Sequence, residues 1–542
     1  MLNVYVSILV SFALVAFGQP AWCWWSGLIA AAFGYALFWR VLLDIEDKKT
    51  RFWIASSWFG LVQIVQLSWL ISHPFAYIWS VYLFFSALLG VQFGLVSLLV
   101  TKKHLRRMSH LAAVAALWTL FEWSRLFILS GFSWNPVGLA LTGSLYPLQA
   151  ATLFGIWGLS YWVIFVNLLF LRAWVKGFSL AAVTVWMGSL LAPYLFGMGH
   201  LAYHDQYFVQ GKRDFSAVLV QTAFPIEEDE HFSDFQHAVS LVMEEWTHVL
   251  KMLKKSEGKL IDLVAFPEGV VPFESQAKIF PLEFVQDTFV EVFGAEVKKK
   301  LPAPERFAKV YATEQGPKTF VSNAYWAQAI TDLMGTPVIF GMQHTQDNDT
   351  WSQAALYFQP LKEEVESYAK RVLIPMAEYL PCTFMQNLAQ MYGVTGFFTP
   401  GNAAKVFAVR DIAFGVSVCY EETFGNLTRE SRSLGADILV NMTNDNWFPN
   451  SRLPKQHFHH GRVRSVEMGI PVLRACNTGI TSAIDSLGRI VKVLNEEDEW
   501  SSDTLHVDVP LYSYRTLYSS FGDALSVGLC LLLALLLCRR SD

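Results

Sequence analysis

The sequence predicts an α/β domain carried on a bundle of about eight transmembrane helices. Hydrophobic residues make up 53% of the 542 residues and charged residues only 16%, whereas soluble globular proteins carry about 25% charged residues. Long apolar runs occupy both ends of the chain, while short β-branched runs alternate with amphipathic stretches in its middle. The net charge of −5 gives no indication of nucleic-acid binding. An integral membrane protein with a large water-exposed region is therefore expected.

Eight apolar segments approach the length of about 20 residues that a helix needs to cross a bilayer. They fall at 3–18, 22–43, 53–72, 76–100, 110–130, 150–174, 178–200 and 521–538. The first could instead be a signal peptide. However, no basic residue precedes it and no small-x-small cleavage pattern precedes Gln19, which favours a retained span. The predicted domains are a membrane bundle at 1–203, a water-exposed domain at 204–515, and a final span with a short tail at 516–542.

The loops between these segments predict the orientation of the chain in the membrane. Basic residues occur in every second loop and after the last span. They are Lys48, Lys49, Arg51, Lys102, Lys103, Arg106, Arg107, Arg172, Lys176, Arg539 and Arg540. The alternate loops at 18–21, 73–75 and 131–149 contain no Lys or Arg. Because basic loops stay in the cytoplasm, both termini are predicted inside and the 204–515 domain outside.

Arg125 lies near the end of the fifth predicted span, one turn after Glu122. Ionisable groups at membrane depth are costly and face a cavity, a partner or the interface. One interpretation is an arginine that extends its charged end to the outer surface. The other is a contact with a lipid head group beside the active site, and the sequence leaves both open.

The middle of the chain predicts a layered sheet with helices packed on it. The strand candidates are Phe215–Thr222, Leu263–Phe266, Pro337–Gly341, Ala355–Phe358, Ile412–Cys419, Ile438–Met442, Val472–Ala475 and Thr481–Asp485. Helical patterns cover about 231–255, 322–334, 425–434 and 456–468. The stretch 284–320, with three prolines and a run of lysines, is expected to be an inserted loop.

Three apolar runs in this region end in a reactive side chain. Glu268 follows Leu263-Val-Ala-Phe-Pro, Lys370 precedes Arg-Val-Leu-Ile-Pro, and Cys419 follows Phe414-Gly-Val-Ser-Val. Strand ends in α/β folds hold catalytic groups rigidly beside an open crevice. Taken singly, each residue has an ordinary alternative explanation as a solvated charge or an inert core cysteine. Their occurrence together favours a catalytic site.

The order Glu, Lys, Cys resembles that of the nitrilase, or carbon–nitrogen hydrolase, superfamily over about 205–510. The segments from Asn441 to Phe448, from Gln456 to Glu467 and from Arg474 to Asp485 strengthen the resemblance. Seven spans before this domain and one after it are similar to the apolipoprotein N-acyltransferase family. Ser130–Trp134 and Thr516–Asp523 also resemble that family. The resemblance implies a nitrilase-like α-β-β-α sandwich on the membrane bundle.

The resemblance also implies the role of each site residue. Cys419 would be the nucleophile and Glu268 the general base. Lys370, together with a backbone N–H after Cys419, would stabilise the oxyanion. The supporting or substrate-binding residues would be Glu378, Tyr420, Glu421, Trp447 and Arg125. Three departures from the family pattern leave loop conformation and substrate preference open: Met376-Ala377 before Glu378, Pro449 after Phe448, and the long separation of Lys370 from Glu268.

The implied reaction moves an acyl chain from a phospholipid to Cys419 as a thioester, and then to the amine of a diacylated apolipoprotein. No cofactor or metal is needed, a monomer suffices, and the expected location is a bacterial inner membrane with the catalytic domain facing the periplasm. A membrane-tethered amidase acting on small amides is the alternative enzyme. A non-catalytic scaffold would be expected to lack a reacting residue, and a pore or carrier would need more intramembrane charges than Glu122 and Arg125.

Overall fold

The computed structural model describes residues 4–537 except 209–212, 226–233, 315, 346–349, 363, 384–385, 387–396, 496–497 and 499. Each of the eight predicted spans coincides with a helix. The helices before the water-exposed domain are α1 (Val4–Ala16), α2 (Trp24–Leu42), α3 (Lys48–Gln66), α4 (Ile78–Leu98), α5 (Met108–Ser124), α6 (Leu145–Leu148), α7 (Ala151–Val175) and α8 (Leu180–Phe208). Among the described residues, α2, α4, α7 and α8 are long and apolar enough to cross a membrane. The chain is a membrane protein.

Helix α7 is interrupted near its beginning by a side chain of the water-exposed domain. Gly155 has φ 64° and ψ −163°, and the helix continues from Ile156, whose N–H donates to Glu467 Oε1 at 2.8 Å. A Cβ at Gly155 would lie 2.4 Å from the ring of Tyr518, so only glycine fits there. Burial raises the pKa of Glu467 to about 7, although the charge of Arg464 opposes the shift. The bundle and the domain therefore share one polar contact inside α7.

The water-exposed domain contains two six-stranded sheets and a small three-stranded one. The strands are β1 (Asp214–Gln221), β2 (Leu263–Ala265), β3 (Phe280–Pro281), β4 (Ala308–Thr313), β5 (Gly316–Val321), β6 (Val338–Thr345), β7 (Trp351–Phe358), β8 (Glu366–Ala369), β9 (Val406–Val409), β10 (Ile412–Val418), β11 (Ile438–Thr443), β12 (Val472–Cys476), β13 (Ser482–Ile484), β14 (Ile490–Val493) and β15 (Asp503–Pro510). The sheets run β15-β1-β2-β6-β7-β8, β14-β13-β12-β11-β10-β9 and β3-β5-β4. Each large sheet has three adjacent parallel strands, β1-β2-β6 and β10-β11-β12.

The two large sheets pack face to face with helices on both outer surfaces. The helices of this domain are α9 (Phe235–Lys254), α10 (Leu282–Phe293), α11 (Asn323–Met334), α12 (Gly425–Ser433) and α13 (Leu453–Met468). After the domain come α14 (Leu517–Phe521) and α15 (Asp523–Ala534), and α15, the eighth predicted span, packs on α5 and α7 of the bundle. Phe215 and Ile339 of the first sheet share a buried core with Phe414 of the second. Trp246 of α9 and Trp326 of α11 stack at 5.6 Å outside the first sheet. The predicted α-β-β-α sandwich on a helical bundle is confirmed.

The expectation of an inserted loop at 284–320 is wrong. Most of the segment is ordered as α10 and the hairpin β4-β5, joined by a 3₁₀ turn at Ala295–Lys300. Val285, Phe289 and Val292 recur on one face of α10 and are buried against the first sheet's helical layer. Such spacing is typical of an amphipathic helix. The lysine run and the prolines, on which the prediction of a loop was based, lie outside this helix.

Candidate active site

Lys370 lies at the centre of the candidate site, directly after the edge strand β8. Its side chain is fully buried, and its Nζ lies 2.8 Å from Glu268 Oε1 and 2.7 Å from Glu378 Oε1. Burial alone would lower the pKa of Lys370, but the charges of Glu268 and Glu378 raise it well above its ordinary value. The lysine is therefore an ammonium group held between two carboxylates.

Glu268 reaches this position because the chain turns sharply after β2. Gly269 adopts φ 58°, a conformation that favours glycine. The backbone of Gly341 on β6 passes so close that a Cβ there would lie 2.4 Å from the carbonyl oxygen of Pro267. Glu268 keeps 7% of its surface exposed, so it is largely but not completely shielded from solvent.

Cys419 follows β10 and begins a 3₁₀ turn, Cys419–Thr423, with φ 50°. A non-glycine residue in this region is strained and often marks a functional position. Burial and then the charge of Glu268 raise the pKa of the thiol well above its ordinary value, whereas Lys370 acts in the opposite direction. The direction of this shift indicates a neutral thiol at rest, near the charges of Glu268 and Lys370.

Glu378 orients Lys370 from the loop after β8. Its Oε2 accepts the N–H of Ile374 at 2.7 Å while Oε1 accepts from Lys370. Burial raises the pKa of Glu378, and the ammonium of Lys370 opposes that shift. The carboxylate therefore has both oxygens committed to protein donors, which suits a residue that fixes the lysine.

Glu421 is fully buried and braces the strand ends beside Lys370 and Cys419. Its Oε2 accepts the N–H of Val418 at 2.8 Å and the hydroxyl of Tyr368 at 2.9 Å. Its Oε1 accepts the N–H of Arg371 at 2.5 Å. The end of β10, which carries Cys419, is thereby connected to the end of β8, which carries Lys370.

Tyr420 connects the site to the membrane bundle. Its hydroxyl donates to the carbonyl of Gly131 at 2.9 Å and accepts the N–H of Ser133 at 3.2 Å. Its ring stacks on Trp134 with a centroid distance of 5.6 Å. Since 131–134 follows the fifth span, the residue after the candidate nucleophile is fixed by the bundle itself.

Trp447 lies in a short turn at the boundary between the domain and the bundle. It is 38% exposed, and its ring stacks on His73 at 5.8 Å. His73 belongs to the loop between α3 and α4, and the neighbouring Phe448 contacts Trp69 of the same region. A supporting or substrate-binding role for Trp447 stays a prediction.

Arg125 does not reach the surface, which contradicts the interpretation that its charged end extends to the outer surface. A contact with a lipid head group beside the active site stays a prediction. The residue is 1% exposed. Its Nε donates to Gln92 Oε1 at 2.8 Å, and its guanidinium lies 5.4 Å from the ring centroid of Trp118. Glu122 supplies a carboxylate oxygen 4.0 Å away. The buried guanidinium therefore has an amide, an aromatic ring and a carboxylate as neighbours inside the bundle, as expected of an ionisable group at membrane depth.

The structure adds two residues to whose side chains the sequence interpretation gave no role, Asn441 and His457. Both donate towards the carbonyl oxygen of Cys419, from Asn441 Nδ2 at 3.3 Å and His457 Nε2 at 3.2 Å. Both belong to motifs that carry the family resemblance. The motifs themselves do not predict these contacts, because each side chain contacts a backbone atom that is distant in the sequence.

The fold and the grouping of Glu268, Lys370 and Cys419 define the class of a carbon–nitrogen hydrolase domain. The carbon–nitrogen hydrolase family model matches residues 235–518, and that of the apolipoprotein N-acyltransferase N-terminal domain matches residues 11–169. Apolipoprotein N-acyltransferase of Chlamydia pneumoniae is 32% identical, over 96% of this chain and 94% of the relative. The proteins of the same name from Chlamydia caviae and Chlamydia trachomatis are 31% and 30% identical over at least 96% of this chain and 95% of each relative. The chain belongs to the apolipoprotein N-acyltransferase family, as the sequence motifs predict.

Proposed function

We propose that this protein is an apolipoprotein N-acyltransferase. It transfers an acyl chain from a phospholipid to the N-terminal amine of an S-diacylglyceryl-cysteine. Family membership over nearly the whole chain and the names of the relatives support this activity. The observation that carries the mechanism is the Lys370 ammonium, bound by the Glu268 and Glu378 carboxylates and in electrostatic contact with the Cys419 thiol.

In the first half-reaction, Glu268 accepts the proton of the Cys419 thiol and the sulfur attacks the ester carbonyl of the phospholipid. The Lys370 ammonium and the N–H of Tyr420 stabilise the oxyanion that forms. The C–O bond then breaks, and the lysophospholipid leaves after its oxygen receives the proton from Glu268. The acyl chain remains on Cys419 as a thioester.

In the second half-reaction, the amine of the diacylated lipoprotein attacks the thioester carbonyl. Glu268 accepts a proton from the attacking nitrogen and returns it to the departing sulfur, which restores the thiol. The amide is more stable than the thioester, so the transfer is driven without a nucleotide, metal or other cofactor. One chain supplies all the reacting groups, which is consistent with a monomer, and the sequence of steps is a ping-pong mechanism.

The same proposal places the catalytic domain on the periplasmic side of a bacterial inner membrane. The three loops without basic residues are expected on that side. Two contacts support it: Gln456 Nε2 donates to Gln19 Oε1 at 3.0 Å, and Tyr420 donates to Gly131. Two of the basic regions contact each other instead: Arg172 donates to the carbonyl of Leu105 at 2.6 Å. The first proposed domain boundary, between 203 and 204, falls within α8, which continues to Phe208.

The first experiment detects the thioester. The purified protein is incubated with phospholipid, and intact mass and peptide mapping are used to locate an acyl adduct that hydroxylamine removes. We expect the adduct on Cys419 in wild type and in the matched control Cys476→Ala, which removes another buried free cysteine of the same domain. Cys419→Ala should carry none. An adduct on another residue, or none in wild type, would refute the mechanism.

A second experiment separates the transferase from the membrane-tethered amidase. The isolated acyl-protein is mixed with a diacylated lipopeptide that has a free N-terminal amine. A transferase should produce the N-acylated lipopeptide in stoichiometric yield, whereas a hydrolase should release free fatty acid to water at a rate independent of the peptide. An N-acetylated lipopeptide is the control, because it has no free amine to attack the thioester.

A further inference from the structure

The carbonyl oxygen of Cys419 is held by two buried side chains from different elements of the fold. His457 Nε2 on α13 lies 3.2 Å from this oxygen, and Asn441 Nδ2 on β11 lies 3.3 Å from it. Each donor residue is 1% exposed. The two donors come from different elements and converge on one oxygen. They therefore restrain the peptide group between Cys419 and Tyr420.

This fixed peptide group controls a second atom on the reacting side. In a planar trans peptide the C=O and N–H bonds point in opposite directions. Anchoring the Cys419 carbonyl towards His457 and Asn441 therefore aims the Tyr420 N–H the other way. In the proposed reaction this N–H is an oxyanion donor, so its direction determines how well the tetrahedral intermediate is stabilised.

The two ring nitrogens of His457 face different groups. Its Nδ1 lies 2.9 Å from Asp445 Oδ1, and its Nε2 faces the Cys419 carbonyl and, at 3.4 Å, Glu422 Oε2. The same Glu422 oxygen lies 3.0 Å from Arg474 Nε. Because a carbonyl oxygen can only accept, the hydrogen bond to Cys419 requires a proton on Nε2.

We propose that His457 is a positioning residue for acyl transfer. Its Nε2–H holds the Cys419 carbonyl, and through that peptide group it aims the Tyr420 N–H. The inference rests on the proposed function, because it assumes that Cys419 forms the thioester. His457 itself contacts no reacting atom of the substrate, and its effect passes through one peptide group.

The test compares wild type with His457→Gln and His457→Ala in phospholipid nanodiscs. Single-turnover thioester formation is followed by mass spectrometry at several phospholipid concentrations. Loss of an oxyanion donor costs about 10²–10³-fold in rate. Misdirecting the Tyr420 N–H removes part of that effect, so His457→Ala should be slower by up to about 10²-fold at saturation with an unchanged half-saturating concentration. His457→Gln retains an N–H donor and should recover part of this loss.

An infrared measurement gives a reading that a structural role alone would not produce. Phospholipid labelled with ¹³C at the ester carbonyl places the label in the thioester. Weaker donation from the Tyr420 N–H should move the C=O band to higher wavenumber in both variants. His459→Gln, two residues further along α13, is the matched control, since His459 hydrogen-bonds to Thr142. It should retain the wild-type rate and band.

The outcomes separate this inference from the proposed function. If wild type forms no thioester on Cys419, the proposed function is refuted. If wild type forms it and His457→Ala matches both its rate and its band, the positioning role of His457 is refuted. Should His457→Ala fail to fold, His457→Leu, which also lacks a donor but fills more of the space, is compared instead.

Discussion

Replacing Lys370 with methionine removes one positive charge from the centre of the site while nearly preserving the side-chain volume. In wild type this charge lies 2.8 Å from Glu268 and 2.7 Å from Glu378, in a fully buried position. Removing one partner of a buried ion pair costs about 3–5 kcal/mol, because the remaining charge is uncompensated. Loss of an oxyanion donor slows the chemical step by about 10²–10³-fold. We expect both effects in Lys370→Met.

The loss of stability should depend on pH with a definite sign. Burial already raises the pKa of Glu378 and Lys370 opposes the shift, so the variant raises this pKa further. Above the unfolded value of about 4.3 the unfolded chain then binds fewer protons than the folded one, and the free energy of unfolding falls as pH rises. Lys370→Met should therefore be more stable at pH 5 than at pH 8 relative to wild type.

Thermal unfolding at both pH values and single-turnover thioester formation at pH 7 measure these effects. Lys405→Met is the matched control, because Lys405 forms a half-exposed ion pair with Glu366 at 3.2 Å. Pairs of this kind contribute about 0–1 kcal/mol, so its stability and rate should stay near those of wild type. Thioester formation at the wild-type rate in Lys370→Met would refute the oxyanion role, and a pH-independent stability loss would refute the charge argument.

Three further predictions concern the membrane bundle, the Glu421 carboxylate and the candidate nucleophile. Gly155→Ala should lower the melting temperature in detergent, since its Cβ would lie 2.4 Å from the Tyr518 ring, whereas Gly188→Ala on α8 meets no atom within 4 Å and should not. Glu421→Gln should cost about 1–3 kcal/mol in chemical denaturation, because an amide cannot accept at both ends from the donors that the carboxylate satisfies; an unchanged midpoint would contradict the bracing role. Alkylation of Cys419 by iodoacetamide should accelerate as pH rises from 7 to 9, because its raised pKa keeps the thiol neutral at pH 7; peptide mapping that shows a flat profile would contradict this.

The sequence revealed the central strands better than the peripheral ones. Strands such as β2, β10 and β11 are buried on both faces and are continuous apolar runs, which is typical of parallel strands. By contrast, β9 and β14 are short edge strands, and β14 has exposed residues along most of its length. β15 carries its apolar residues at alternate positions, Leu505, Val507 and Val509. This alternation with a period of two is a pattern that predicts a half-buried strand.

The candidate site, too, is only partly predictable from the sequence. Glu268, Lys370 and Cys419 could be selected because each interrupts or ends an apolar run, and the structure groups the ends of β2, β8 and β10 that carry them. Their catalytic roles stay predictions. The role of His457 depends on a contact between α13 and the backbone 38 residues earlier. No local pattern encodes that contact, and the same holds for the burial of Arg125.

The carboxylate that enters α7 has a consequence for how the protein is assembled and handled. Without Glu467, the amide of Ile156 would lose its acceptor; without α7, Glu467 would lose one donor and keep Arg464. Each half of the chain thus contributes to the hydrogen bonding of the other. A fragment that consists of the water-exposed half alone should be less stable than the intact protein. The same contact implies an order of maturation, in which α7 is inserted into the membrane before the sandwich packs onto it.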